Sequence, residues 1–245
     1  MEQHEVVSRE QWLTARIVLL REEKELTRQR DRLSAKRRAL PWVRVEKNYV
    51  FDSVAGPRTL ADLFDGRSQL VVQHFMMGPD WKEGCVGCSF GADHVEGARM
   101  HLEHHDVSFA AVSRAPIAAI ESFRTRMGWR FAWVSSLGNE FNFDYHVSFP
   151  PDEVANGGFY NFQNQPIGIE ELPGMSVFHR NDSGEIFHTY SAYGRGTEGL
   201  LTAYFVLDMT PKGRDETIGG NLTDWVRHHD RYGEDASCCH AANGQ

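Results

Sequence analysis

The chain has 245 residues, 41% of them hydrophobic and 24% charged, and a formal net charge of −8. That is enough for one well-buried α/β domain with additions or two small domains, while the acidic balance argues against general nucleic-acid binding. No apolar run reaches the ~18 residues of a membrane span, and the polar start Met1-Glu2-Gln3-His4-Glu5 lacks the apolar stretch of a signal peptide, so the cytoplasm is the expected compartment.

Ser8-Arg9-Glu10-Gln11 has the Ser-x-x-Gln form of a capping box and predicts a helix start. No Gly or Pro follows until Pro41. Trp12, Leu19, Leu26, Leu33 and Leu40 recur every seven residues, but the intervening seam positions, such as Glu22, Glu23 and Arg30, are polar. The expectation is a long, lightly amphipathic helix to about Arg38. It could pack on its own domain, mediate a homodimer, or serve as a basic docking arm, since residues 9–44 carry eleven Lys or Arg against five Asp or Glu.

A small β segment follows at Val43 to Phe51, then a turn at Gly56-Pro57 and one helical turn at Leu60 to Phe64. Leu70 to Met77 is a near-continuous apolar run, the pattern of a strand covered on both faces. After Trp81-Lys82-Glu83-Gly84-Cys85-Val86-Gly87-Cys88, the segment to about His105 reads as helix, with Phe90, Val95, Ala98 and Leu102 roughly on one face. Val107 to Val112 is a second buried strand, Pro116 to Met127 a second helix with Ile117, Ile120 and Phe123 at helical spacing, and Phe131 to Ser135 a third strand. Alternating strands and helices predict a mostly parallel sheet with right-handed crossovers. Residues 138–165, rich in Asn, Gly, Phe and Tyr, interrupt that pattern as an ordered insertion. Met175 to His179 and Glu185 to Tyr190 flank Asn181-Asp182-Ser183-Gly184, a β-hairpin signal. Leu200 to Val206 suits either helix or strand. Asn221 to Arg227 is expected to open a last helix ending near Gly233, followed by a small, polar, mobile tail.

The four cysteines form two close pairs, Cys85 with Cys88 and Cys238 with Cys239. A disulfide scaffold would spread them to close long loops, whereas close pairs point to redox chemistry or metal. If Cys85 sits at a helix N-terminus, unpaired N–H groups and the helix dipole favour its thiolate, lowering a free-cysteine pKa of ~8.5 by about one to several units. Cys85 is then the attacking sulfur and Cys88, one turn on, the resolving one. Gly84 and Gly87 would let a substrate backbone approach closely. The same pair is also half a zinc site, completed only if His94 or Cys238-Cys239-His240 folds back, or it is inert. His74 and Glu83 are candidate proton relays, and Lys82 could support the thiolate. Arg114 ends the second strand, where α/β sheets collect ligand-binding residues, and is placed to bind an anionic group or to form a salt bridge. His101 and His105, with His104 and Asp106, could share a metal-competent face or complement a helix C-terminus, and His228-His229-Asp230 carries the same ambiguity. Adjacent Cys238 and Cys239 would form a strained, easily reduced disulfide on a resolving arm, or remain two free thiols on the tail.

From about Tyr49 to Tyr193, the order strand, Cys-x-x-Cys, helix, strand, helix, strand, hairpin resembles the peroxiredoxin-like branch of the thioredoxin fold. More closely, the chain resembles the bacterial family filed as domain of unknown function 899, often labelled predicted dithiol-disulfide oxidoreductase. The resemblance rests on Trp81 to Cys88, Val112-Ser113-Arg114-Ala115-Pro116, Met127-Gly128-Trp129 with Phe131 and Trp133-Val134-Ser135-Ser136, and Phe187-His188-Thr189-Tyr190-Ser191. Asp208 to Arg214 and Trp225 to Asp230 add to it. It implies an α/β thioredoxin-like domain over residues 43–210, with an N-terminal helical extension over 1–42 and a C-terminal helix and tail over 211–245. It further implies a cytosolic enzyme acting on a thiol or disulfide substrate, with Cys85 as nucleophile, Cys88 as resolver, and no organic cofactor, metal, nucleic acid or membrane. Peroxide reduction is a sub-case for which Arg114 is the hint. Thioredoxins place a cis-proline against the disulfide just before the hairpin. Here the nearest proline is Pro173, so Met175 or Ser176 would face the cysteines, with Trp81 beside them. A non-catalytic scaffold module with structural or metal-holding cysteines is the competing reading.

Overall fold

A computed structural model of the chain describes residues 4–214 and 224–233. It comprises two compact units, Met1–Trp42 and Val43–Gln245. The first is built on helix α1 (Arg9–Arg38). Its capping box forms as the sequence predicts: Gln11 N–H donates to Ser8 Oγ at 3.3 Å, and Ser8 N–H donates to Gln11 Oε1 at 3.0 Å. Lys36, Arg37 and Arg38 occupy the last turn, where positive charge meets the negative end of the helix dipole. No residue of α1 is buried, and its seven-spaced apolar residues stand about half exposed.

The second unit begins with β1 (Val43–Arg44), β2 (Val50–Phe51), β3 (Arg58–Thr59) and a 3₁₀ turn at Ala61–Phe64. Then come β4 (Gln69–His74), α2 (Val86–His104), β5 (Val107–Ser113), α3 (Ile117–Arg126) and β6 (Ala132–Ser135). The mid-chain segment holds α4 (Phe141–Asp144), α5 (Pro151–Asn156) and a small hairpin of β7 (Gly158–Tyr160) and β8 (Gln163–Gln165). The chain returns through β9 (Gly174–Arg180) and β10 (Ile186–Tyr193), and after a 3₁₀ segment at Gly194–Leu200 it forms α6 (Thr202–Leu207).

Six strands form one mixed sheet in the order β1-β10-β9-β4-β5-β6. β4, β5 and β6 run parallel, and β9 pairs antiparallel with β4. A parallel βαβ unit beside an antiparallel hairpin is the thioredoxin-like α/β arrangement. The β9–β10 turn is made by Asn181, whose Oδ1 accepts the Glu185 N–H at 2.8 Å, and by Gly184, whose φ of +85° only glycine adopts freely.

The parity of β4 sorts the core. Leu70, Val72 and His74 face one side, where Tyr49, Phe51, Phe64, Phe141 and Phe178 close over the sheet. Val71 and Phe75 face the other, packed under α2 and α3 with Phe109, Phe123, Trp129 and Trp133. The sheet is thus buried on both faces, which is why β4 and β5 read as apolar runs rather than alternating ones. The inserted segment is pinned by its own cluster of Val147, Phe149, Tyr160 and Ile167 against Tyr193.

Two expectations change here. The ambiguous segment after Leu200 is helical, with Tyr204 fully buried against Phe90. The last helix expected over 221–233 does not form in its described part: Val226 to His228 is irregular, with a single 3₁₀ turn at His229–Arg231. The reason is burial. Val226 and His228 both insert into the body at two-residue spacing, with Arg227 and His229 exposed between and after them, and helical spacing would turn one of the pair away. Residues 221–223 and the tail from Glu234 lie outside the described residues.

His74 is 1% exposed and joins a buried polar chain on the face away from α2. Its Nε2 lies 2.8 Å from Ser176 Oγ, which lies 2.8 Å from Ser191 Oγ, and His188 Nε2 reaches that hydroxyl at 2.7 Å. Burial, with the His188 ring adding to it, pushes the His74 pKa down to about 3. Its folded pKa thus lies below the unfolded value, so its contribution is complete above about pH 6.5 and is lost as pH falls toward 3. The expected loss is up to roughly 5 kcal/mol. Urea unfolding at pH 7, 5.5 and 4.5 should show stability falling more steeply for the wild type than for His74→Gln.

Candidate active site

The end of β4 builds the site. Beyond His74 the pairing continues: Phe75 N–H donates to Val112 O at 2.9 Å and Ala115 N–H donates to Met77 O at 2.8 Å. Ser113 Oγ donates to Phe75 O at 2.6 Å and accepts from Trp133 Nε1 at 3.0 Å, which fixes this strand end from the neighbouring strand. The loop from Gly78 to Gly84 then leaves the sheet and returns to it. On its return Cys85 N–H donates to Met76 O at 3.0 Å, and Met76 N–H donates to Cys88 Sγ at 3.5 Å. One residue of backbone therefore holds both cysteines.

Cys85 is the N-cap of α2, with φ −57° and ψ 133°, and Ser89 N–H and Oγ–H both donate to its carbonyl at 2.9 Å. Its sulfur is partly exposed, whereas Cys88 is 5% exposed. The Cys85 pKa is brought down to about 6, foremost by the hydrogen bond from the Cys88 thiol and then by the backbone N–H groups of Cys88 and Gly87, against an opposing effect of burial. Cys88 is pushed the other way, because its proton is held by Cys85 Sγ and because it is buried. A partly exposed thiolate backed by a buried thiol is the arrangement that dithiol exchange needs.

Trp81, Met175 and Cys85 all pack against the hydrophobic cluster that contains Cys88. Trp81 Nε1–H donates to Glu170 Oε1 at 3.0 Å, tying the loop before Cys85 to the inserted segment. Met175, on β9, stands in register with Gln73 and packs into the cluster that contains Cys88, while Ser176 points through the sheet to His74. Gln73 shares the cysteine side and donates from Nε2 to Cys88 O at 3.0 Å.

Other expected residues stand elsewhere. His74 lies on the opposite face of the sheet and does not serve the thiols. Glu83 is held by two guanidinium groups, Arg126 at 2.6 Å and Arg231, so its carboxyl lies below its ordinary pKa and is committed to ion pairs. Arg114 pairs with Glu171 at 3.1 Å and stacks over Phe143 at 4.5 Å. Glu171 is 2% exposed and also accepts from Ser148 Oγ at 2.6 Å, yet burial lifts its pKa to about 7. Nothing local announced this pair, whose members lie 57 residues apart. Lys82 is exposed. His94 bridges Phe90 O at 2.6 Å and Ala203 N at 3.1 Å, and among the described residues no group of three or more His, Cys, Asp or Glu has metal-binding geometry. Cys238 and Cys239 lie outside the described residues.

Gly84 has a different reason from the one expected. A Cβ there would come within 2.5 Å of the Phe75 ring and 2.9 Å of the Phe123 ring, so glycine admits the protein's own aromatic core, not a substrate backbone. Gly84→Ala should cost about 1–3 kcal/mol in chemical denaturation. Cys88→Ala should raise the pH midpoint of Cys85 alkylation from near 6 by about one unit or more, by removing the S–H donor. An iodoacetamide rate profile from pH 4.5 to 9.5 measures it.

The peroxidoxin BcpB of Mycobacterium tuberculosis is similar at 12% identity and TM-score 0.45, over 66% of this chain and 94% of that one. A cysteine-to-serine mutant of Xylella fastidiosa PrxQ is similar at 14% identity and TM-score 0.44, over 67% and 94%. A yeast mitochondrial 1-Cys peroxiredoxin is similar at 18% identity and TM-score 0.37, over 66% and 74%. No curated protein matches the chain. Residues 1–232 match the sequence pattern of one family across its length, and the chain belongs to that family, described as bacterial protein of unknown function, DUF899.

Proposed function

We propose that the protein is a cytosolic thiol–disulfide oxidoreductase that uses Cys85 and Cys88 as its redox pair. The observation that carries this reading is the opposed polarisation of the two sulfurs. Cys85 sits at a helix N-terminus with its pKa near 6, and Cys88 lies buried behind it as a thiol. At neutral pH most Cys85 is thiolate, the form that attacks.

The reaction follows from that polarity. Cys85 S⁻ attacks one sulfur of a substrate disulfide, forming a Cys85–substrate mixed disulfide and expelling the other half as a thiolate. Cys85 now carries no charge, so the chief reason for Cys88 to keep its proton is gone. The Met76 N–H remains aimed at Cys88 Sγ to accept the charge that develops there. Cys88 loses its proton to the departing thiolate, attacks Cys85 Sγ, and expels the second substrate half. The result is a Cys85–Cys88 disulfide and two substrate thiols, a transfer of two electrons. An external thiol reductant restores the dithiol.

Met175 and Trp81 pack against the same cluster as Cys85 and suit contact with the apolar portion of a substrate. Arg114 is committed to Glu171 and Phe143, which supports disulfide exchange over a reaction that needs a free guanidinium at the sulfur.

Pre-reduced protein mixed with oxidised glutathione should release thiols in stoichiometric amount. Cys85→Ser should fall to background, while Cys88→Ser should stop at a mixed disulfide detectable by intact mass. A fully active Cys85→Ser variant would sink the assignment. Consumption of hydrogen peroxide with formation of the same internal disulfide would instead identify the peroxide-reducing form of the chemistry.

A further inference from the structure

The Trp225-Val226-Arg227-His228-His229-Asp230 segment is far from the cysteines in sequence, yet it lies against the loop that presents them. Val226 is 1% exposed and packs with Phe90 and Tyr204 on α2 and α6. Arg231 and Asp230 join Glu83 and Arg126 in one ion-pair cluster, with Arg126 Nε to Asp230 at 2.9 Å and Arg231 Nη1 to Glu83 at 2.9 Å. His229 Nδ1 lies 2.7 Å from Asp93, which also accepts from Trp129 Nε1 at 2.7 Å. Between these anchors sits His228, 3% exposed, its ring edge-on to Phe123 at 5.2 Å.

The two ring nitrogens of His228 have assigned roles. Nε2 lies 3.0 Å from the Gly84 carbonyl, which can only accept, and Nδ1 lies 3.0 Å from Arg126 Nη2, which can only donate. The tautomer with hydrogen on Nε2 satisfies both. Gly84 O belongs to the peptide whose N–H is that of Cys85, and that N–H donates to Met76 O at 3.0 Å. The Gly84–Cys85 peptide is therefore held at both ends, by β4 through its N–H and by the C-terminal segment through its carbonyl. Glycine at 84 lets the Phe75 and Phe123 rings close on the backbone, and these two hydrogen bonds fix which way the N–H and carbonyl of the peptide point.

We propose that His228 is a positioning residue for the Cys85 nucleophile. By holding the Gly84 carbonyl it keeps the Gly84–Cys85 peptide turned so that Cys85 Sγ meets the amide hydrogens of Gly87 and Cys88. Without that donor the carbonyl is left in a buried site with no partner, the peptide rotates toward water, and Sγ swings off the helix axis. The role rests on the redox reading above for its purpose, but its test reads the thiol directly and needs no substrate.

The experiment is the iodoacetamide rate profile of Cys85 against pH, in the full-length protein, with thermal unfolding to confirm a cooperative fold. His228→Phe keeps the ring packing against Phe123 and removes both nitrogens. Its midpoint should rise by about one pH unit, a tenfold lower thiolate fraction below the midpoint. His228→Gln carries an amide N–H at a similar reach and should stay close to the wild type. A His228→Phe midpoint equal to the wild type, or a His228→Gln midpoint raised as far as that of Phe, overturns the role. If His228→Phe does not fold, His228→Leu takes its place, with the same expected rise and the same overturning result. A wild-type midpoint at the ordinary cysteine value of ~8.5 removes the redox reading itself, whereas a low wild-type midpoint that ignores both substitutions removes only the part assigned to His228.

Discussion

The backbone of Met76 meets both cysteines at once, and the proposed chemistry depends on that double contact. Its carbonyl takes the Cys85 N–H and its N–H points at Cys88 Sγ, so the end of a central strand sets where α2 begins and how deep its first turn lies. A strand buried on both faces and paired on both edges is among the stiffest elements a small domain offers, with every backbone group committed. Mounting the first turn of a helix on it converts that stiffness into aim. The free N–H groups of the helix start converge on one sulfur, and the other sulfur is carried inward by a single helical turn.

The consequence is an unequal pair made from two identical side chains. Left in water, both thiols would titrate alike. Here the amides favour charge on Cys85, and the shared proton is pressed onto Cys88, which is also the one denied to solvent. Asymmetry of this kind assigns order to the two attacks without any additional base. That agrees with the placement of the two side chains expected to act as bases: His74 lies across the sheet, and Glu83 is occupied by arginines.

Much of this was legible in the residues, and the failures have identifiable causes. The apolar run Leu70 to Met77 and the helix-forming segment after Cys85 placed the pair correctly, because burial on two faces and N-terminal capping leave strong local marks. The side of the sheet occupied by His74 was also available: strand parity groups it with Leu70 and Val72, away from Phe75 and the cysteines. The spacing of Val226 and His228 carried a period of two, which the helix-like composition around Asn221 and Asp224 obscured. Gly84 was read for its freedom, when its lack of a side chain was the point; the two rings that exclude a Cβ lie nine residues before it and thirty-nine after. Arg114 and Glu171 met through tertiary packing of an inserted segment, which no local pattern encodes.

The hydrogen bond from His228 to Gly84 spans 144 residues of chain. Closing so long a loop carries an entropic cost, so this contact depends on the rest of the fold to bring its two ends together. The cysteine pair and its strand are synthesised before the imidazole that completes their surroundings. On the role proposed for His228, Cys85 in that interval would lack the full restraint on its peptide and have a weaker hold on its thiolate. The nascent chain would then be slower to cross-link with passing disulfides, and full thiol reactivity would arrive with the finished fold.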